Sequence, residues 1–152
     1  MKPLIIISIV FAITLSGCGK DYHNTFTVVN NTNKQVRIEG FAVKWSEKIN
    51  RFSVYSDSIL IDANSEFSIQ KGMGESRQPQ GIFQSGEIDS VNIIFDNQKI
   101  IKYSCDDEYH LCFDKRNLLN YEEYFEKNCD EHECTYVYTI TDADYESAEI
   151  IE

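Results

Sequence analysis

Apolar residues fall in two regimes along this chain. From 4 to 13 they form a run broken only by Ser8, and from residue 25 onward they alternate with polar residues in stretches separated by turn formers. Alternation with a period of two marks a strand with one buried face. Residues 25–29 read as the first strand, and Asn30-Asn31-Thr32-Asn33-Lys34 as the turn that follows. Over 35–45, Val36 and Ile38 share a face, Gly40 marks a bulge, and Phe41, Val43 and Trp45 alternate again beyond it. This pair of stretches predicts a hairpin. A third strand is expected over 53–61 and a fourth over 66–70, where Phe67 and Ile69 share a face. Residues 71–87 hold Gly72, Gly74, Gly81, Gly86 and Pro79, which predicts a long loop. Residues 90–95 and 99–103 flank Asp96-Asn97-Gln98 and predict a second hairpin. Residues 121–127 suit a helical turn or an irregular arm. Over 135–141, Tyr136, Tyr138 and Ile140 share a face in the last strand. Thr141, with Asp144 where a capping box usually has Glu or Gln, opens a short helix over 144–150 that has Tyr145 and Ala148 on one face. About seven short strands with turns between them predict a mainly β fold, an antiparallel β-sandwich with a short C-terminal helix.

The run at 4–13 has another meaning. It follows Lys2, the one charged residue before Lys20, and is too short for a bilayer span of about 20 apolar residues. A cation followed by such a run reads as an export signal. Leu15-Ser16-Gly17-Cys18 comes next and resembles the lipobox of bacterial lipoproteins. Gly17 is small enough to admit a peptidase, and the thiol of Cys18 is the nucleophile that takes the diacylglycerol. The resemblance covers residues 1–18. It implies that 1–17 are removed as a signal peptide and that 18–24 are the lipidated cysteine and its tether, while the strand pattern makes 25–152 a single β-sandwich domain. Residues 18–152 number 135, enough for one core. Several acyl chains on Cys18 hold a membrane better than one chain would. Gly19 stands where an Asp would resemble an inner-membrane retention signal, so the outer membrane is expected, with the leaflet open.

Charge narrows the partners. The full chain carries −11, and losing Lys2 leaves −12. So acidic a domain repels nucleic acid and anionic headgroups, and favours a basic protein or plain solubility. Of five cysteines, Cys105, Cys112, Cys129 and Cys134 remain once Cys18 is acylated. An even number in an exported domain suggests two disulfides. Local staples, Cys105–Cys112 and Cys129–Cys134, are the expectation, and the crossed arrangement stays open. His110 and His132 lie between these cysteines, but no CxxC spacing accompanies them, so no metal is expected. Asp142, Asp144 and Glu146 alternate where a helix begins rather than in a calcium loop, and Asp106-Asp107-Glu108 reads as a solvated acidic cluster.

A second resemblance is carried by Val28-Val29-Asn30-Asn31, by Arg116-Asn117-Leu118, and by the ending Tyr138-Thr139-Ile140-Thr141-Asp142-Ala143-Asp144-Tyr145. Together they look like a group of small lipoproteins of Bacteroidetes-type bacteria, which implies a sandwich-like fold and no known activity. The four later cysteines are not part of that likeness. No GxSxG occurs, and Gly72-Met73-Gly74 lacks the rest of a phosphate loop. With no nameable nucleophile, base and orienting group, the chain reads as non-enzymatic and without a cofactor. The expected function is a binding or structural domain at the envelope, or alternatively an acidic inhibitor or immunity-type lipoprotein that caps a basic enzyme or toxin. Trp45, Tyr109, Tyr121, Tyr124 and Phe125 read as core aromatics.

Overall fold

The computed structural model describes residues 23–46, 51–72, 81–83, 88–104, 116–120, 126–130 and 133–152. They form two sheets of antiparallel and parallel strands with one short helix. Strands β1 (His23–Asn30), β2 (Val36–Ser46), β3 (Arg51–Ile61) and β4 (Ser65–Gly72) come first. Then follow β5 (Ser90–Phe95), β6 (Lys99–Ser104), β7 (Glu126–Cys129) and β8 (Glu133–Ile140). Helix α1 (Asp142–Ser147) and the two-residue β9 (Glu149–Ile150) end the chain. One sheet has the order β4-β1-β8-β7 and the other β3-β2-β5-β6-β9.

The mainly β, sandwich-like reading holds, with departures that have physical causes. β1 starts at His23, so the last two residues assigned to the tether are strand. β1 and β2 are not a hairpin. They lie in different sheets, because the chain between them crosses over: Asn31 N–H donates to Ile140 O at 2.9 Å, and Gln35 exchanges bonds with Asp96 (N–H to Oδ1 2.9 Å, and O from the Asp96 N–H 3.0 Å). The sandwich is not wholly antiparallel, since β1 runs parallel to β8 from His23↔Glu133 to Asn30↔Ile140. Residues 126–127, expected in a turn or arm, belong to β7. The helix starts two residues earlier than expected and ends at Ser147. The β5–β6 hairpin matches its expectation: Asp96 and Asn97 hold φ of 48° and 57°, and Gln98 N–H closes on Phe95 O at 2.8 Å. Asx residues tolerate that left-handed pair best after glycine.

The core lies between the sheets and follows the period of two. Phe26 and Val28 of β1, Tyr136, Tyr138 and Ile140 of β8, and Val36 and Ile38 of β2 meet Val91, Ile93 and Phe95 of β5. Phe26 and Tyr136 are direct register partners and stack at 5.0 Å. Such a pair adds about 1 kcal/mol beyond the area it buries. Ile82 and Phe83, from the stretch expected to be a long loop, are buried in the same cluster, as are Leu118 and Leu119.

Gly40 is not a bulge. β2 and β3 pair without interruption from Val36↔Ile61 to Ser46↔Arg51. Glycine is required for another reason: a Cβ there would stand 2.8 Å from the Phe83 ring. Because the register never slips, the change of hydrophobic phase at Gly40 has a consequence. Val36, Ile38 and Ala42 face the core, whereas Phe41, Val43 and Trp45 hold positions on the opposite face. β5 pairs with β2 as far as Phe41↔Ser90; beyond it, among the described residues, 42–46 pair with 51–55 of β3, and Asp89 Oδ2 takes the Val43 N–H at 2.8 Å.

Candidate functional site

Two ends of the sandwich can be told apart. At one, the buried Asn30 side chain joins three segments. Its Nδ2 donates to Lys34 O (2.7 Å), Asp62 O (2.9 Å) and Ile61 O (3.4 Å), and its Oδ1 accepts from Thr32 Oγ1 (2.7 Å) and Thr32 N (3.2 Å). At the other, His23 pairs with Gly72, Lys71 Nζ donates to Phe83 O, and Phe83 covers Gly40. Burial pulls the Lys71 amine below its ordinary range, against the upward pull of Asp57.

A second polar node among the described residues joins 116–120 to the end of β8 and the start of α1. Arg116 Nη2 donates to Thr139 O at 2.9 Å and to Asp144 Oδ2 at 2.8 Å. The same carboxylate oxygen accepts from Thr141 N (2.8 Å) and Thr141 Oγ1 (2.9 Å), so Asp144 fills the role that Glu or Gln plays in a capping box. The Asp144 side chain is 9% exposed and that of Arg116 50%. Tyr138 OH donates to Arg116 O at 2.8 Å, and its ring lies 5.5 Å from the guanidinium carbon. Asn117 Oδ1 accepts from Leu119 N at 3.0 Å, which holds the turn that drives Leu118 into the core. Among the described residues β7 pairs with β8 as far as Glu126↔Val137, and beyond it Arg116 takes the Thr139 carbonyl.

A pocket of about 160 Å³ opens here, lined by Arg116, Glu126, Val137, Tyr138, Thr139 and Thr141. Burial works against the Arg116 charge, but Tyr138 and Asp144 outweigh it and raise the guanidinium pKa. Burial pushes the Tyr138 phenol far above its usual range, Tyr103 adds to this, and Arg116 opposes it. The node therefore fixes a cation against a buried carboxylate and keeps a phenol protonated. Among the described residues its lining holds no thiol, imidazole or serine hydroxyl.

The phenol makes stability depend on alkaline pH. Below about pH 10 the phenol is protonated in both folded and unfolded chains, and its contribution is complete. Above that, the unfolded chain ionises first, and stability falls by up to about 1.4 kcal/mol per pH unit. Tyr138→Phe is expected to flatten this alkaline limb, while costing about 1 kcal/mol near neutrality through the orphaned Arg116 carbonyl. Urea unfolding as a function of pH checks both. An unchanged alkaline slope rules out Tyr138 as its source.

Cys129 and Cys134 are bonded. They are register partners in the β7–β8 hairpin, with Cα atoms 4.1 Å apart. Asp130 closes that hairpin, donating N–H to Glu133 O (2.9 Å) and accepting Glu133 N–H on Oδ1 (2.7 Å). The next pair outward in an antiparallel ladder is the close one, which suits a disulfide. Bonded, these sulfurs are not thiolate ligands for zinc. Cys18, Cys105, Cys112, His110, His132 and the 106–108 acids lie outside the described residues, as do Tyr109, Tyr121, Tyr124 and Phe125. Of the calcium candidates, Asp144 is committed to Arg116 and Thr141.

The three stretches behind the second resemblance meet in space: Asn31 bonds Ile140, and Arg116 bonds Thr139 and Asp144. The sequence matches no family model and no curated protein. No helix among the described residues is long and apolar enough to cross a membrane.

Proposed function

We propose that this chain is a lipoprotein of the cell envelope, anchored through a lipid on Cys18 and presenting its acidic sandwich as a non-catalytic binding or structural domain. The observation that carries this reading is the order Leu15-Ser16-Gly17-Cys18 directly behind the apolar run at 4–13. Two structural facts support it. β1 begins at His23, five residues after Cys18, so the folded body follows the acylation point at once. The Cys129–Cys134 bond suits an oxidising compartment outside the cytoplasm. The outer membrane is the proposed destination.

Labelled palmitate is expected on the parent protein and absent from a Cys18→Ser variant, which should leave the membrane fraction. Equal membrane retention of that variant overturns the anchor. A second reading, an inhibitor or immunity-type domain that caps a basic protein, is favoured by the net charge of −11. Such a complex should weaken steeply as salt rises, whereas a structural role should not.

A further inference from the structure

Three inward rows of the sandwich finish in polar residues at the same end. In β1 the row runs Val28, Phe26, Asn24; in β4 it runs Phe67, Ile69, Lys71; in β3 it runs Ile61, Ile59, Asp57. A period of two puts each polar residue on the face that its apolar predecessors bury. Asn24 is 4% exposed, and Lys71 and Asp57 are half-buried. The β1 and β4 rows belong to one sheet and the β3 row to the other. An amide, an amine and a carboxylate thus gather where the chain enters the sandwich.

Asn24 and Lys71 are direct register partners in the antiparallel β1–β4 pair. Opposed residues have Cβ atoms about 5 Å apart, a gap that a lysine side chain spans. The Lys71 amine donates to Phe83 O, and Phe83 rests on Gly40, the register partner of Asp57. Burial holds this amine below its ordinary range, and Asp57 lies near enough to pull it back up. Only the neutral amine is a nucleophile, and desolvation favours that form. The buried Asn24 carboxamide is shielded from water, which would otherwise compete for its carbon.

We propose that Asn24 and Lys71 join in an autocatalytic isopeptide bond, with Asp57 as the proton carrier. Lys71 Nζ attacks Asn24 Cγ, and the Nζ–Cγ bond forms. The proton given up by Nζ passes through the Asp57 carboxylate to Asn24 Nδ2. The Cγ–Nδ2 bond then breaks, and ammonia leaves. No oxidant, metal or co-reactant enters the balance. The step asks of Lys71 only a rotation from Phe83 O to the neighbouring carboxamide. The bond ties β1 to β4 and closes residues 25–70 into a loop, which restricts the unfolded chain as a disulfide does. This modification goes beyond the envelope reading and does not depend on it. A tether pulling on β1 would meet the cross-link one residue into the strand.

Peptide mapping of the full-length protein tests this. Trypsin releases 21–34, which holds Asn24, and, because it does not cut after an acylated lysine, 52–77, which holds Lys71. The expected product is one branched species containing both, lighter than their sum by one ammonia, with fragments that locate the junction at Asn24 and Lys71. Lys71→Arg and Asn24→Ala should each lose it. Asp57→Asn should lose most of it while circular dichroism keeps the parent's sheet signal. In the parent protein, peptide 21–34 recovered by itself, with cleavage after Lys71, overturns the bond. Loss of ammonia on 21–34 alone marks a succinimide at Asn24 and overturns it too. A branched species at full yield in Asp57→Asn overturns the part given to Asp57. Neither peptide contains Cys18, so a missing lipid leaves this result unchanged.

Discussion

Asn30→Ala should cost about 3 kcal/mol of folding stability, because one buried side chain satisfies several backbone and side-chain groups at once. Asn30 is fully buried. Its amide serves the carbonyls of Lys34 and Asp62, with Ile61 at longer range, and its carbonyl takes both donors of Thr32. Truncation orphans these groups, at about 1–3 kcal/mol for each one left without a partner. Asn30→Asp is the sharper test. It keeps the shape but turns an oxygen toward backbone carbonyls and buries a charge, so at neutral pH it should be at least as damaging as Ala. Acidification should recover part of that loss, since a protonated carboxyl donates one hydrogen bond, while Asn30→Ala shows no such recovery. Urea unfolding at two pH values measures both. An Asn30→Ala protein within about 0.5 kcal/mol of the parent, the range of an ordinary surface change, would refute this role.

Gly40→Ala is expected to destabilise by about 2 kcal/mol, the usual cost of forcing a methyl into a packed interior. The added carbon would lie 2.8 Å from two atoms of the Phe83 ring, and that ring is buried. The sign should depend on the partner. A strand interior ordinarily prefers Ala to Gly by about 0.5–1 kcal/mol. With Phe83→Leu in place, Gly40→Ala should therefore become neutral or stabilising. A double-mutant cycle reads this coupling, and strict additivity of the two changes would show that contact with the ring is not the cause.

These two residues also show where sequence pattern stops being informative. The inward alternation of Val36–Ile38, Val91–Ile93–Phe95 and Tyr136–Tyr138–Ile140 is visible in the sequence, because a period of two reports which face is wet. The 90–103 hairpin is visible too, since Asp96-Asn97 supply the one backbone shape its turn needs. Pairing is a different matter. Nothing in residues 25–45 says whether successive strands share a sheet or face each other across the core. The turn formers at 30–34 fit either, and only Asn31 and Gln35, bonded to Ile140 and Asp96, reveal the crossing. Gly40 is similar: a bulge and an unbroken strand with inverted phase have the same sequence signature, and the register decides between them. The capping role of Asp144 is legible from Thr141 three residues before it, whereas its bond to Arg116, 28 residues earlier, is not. Ile82 and Phe83 had a local signal, two adjacent large apolar residues inside a glycine-rich stretch. The Cys129–Cys134 bond agrees with the favoured local pairing, at a spacing that a tight hairpin satisfies.

The parallel match of β1 to β8 also sets the order in which the molecule can be completed. Thr25 and Glu133, joined by a hydrogen bond, are 108 positions apart. Strand β1 thus keeps one flank vacant until β8, 108 residues further on, is available to pair with it. Closing so long a loop is slow. During that interval the bare edge of β1 is open to any extended segment, including that of a neighbouring unfolded copy. The late pairing of β8 therefore makes this a chain that stays loose until its two distant parts meet and becomes solid only then.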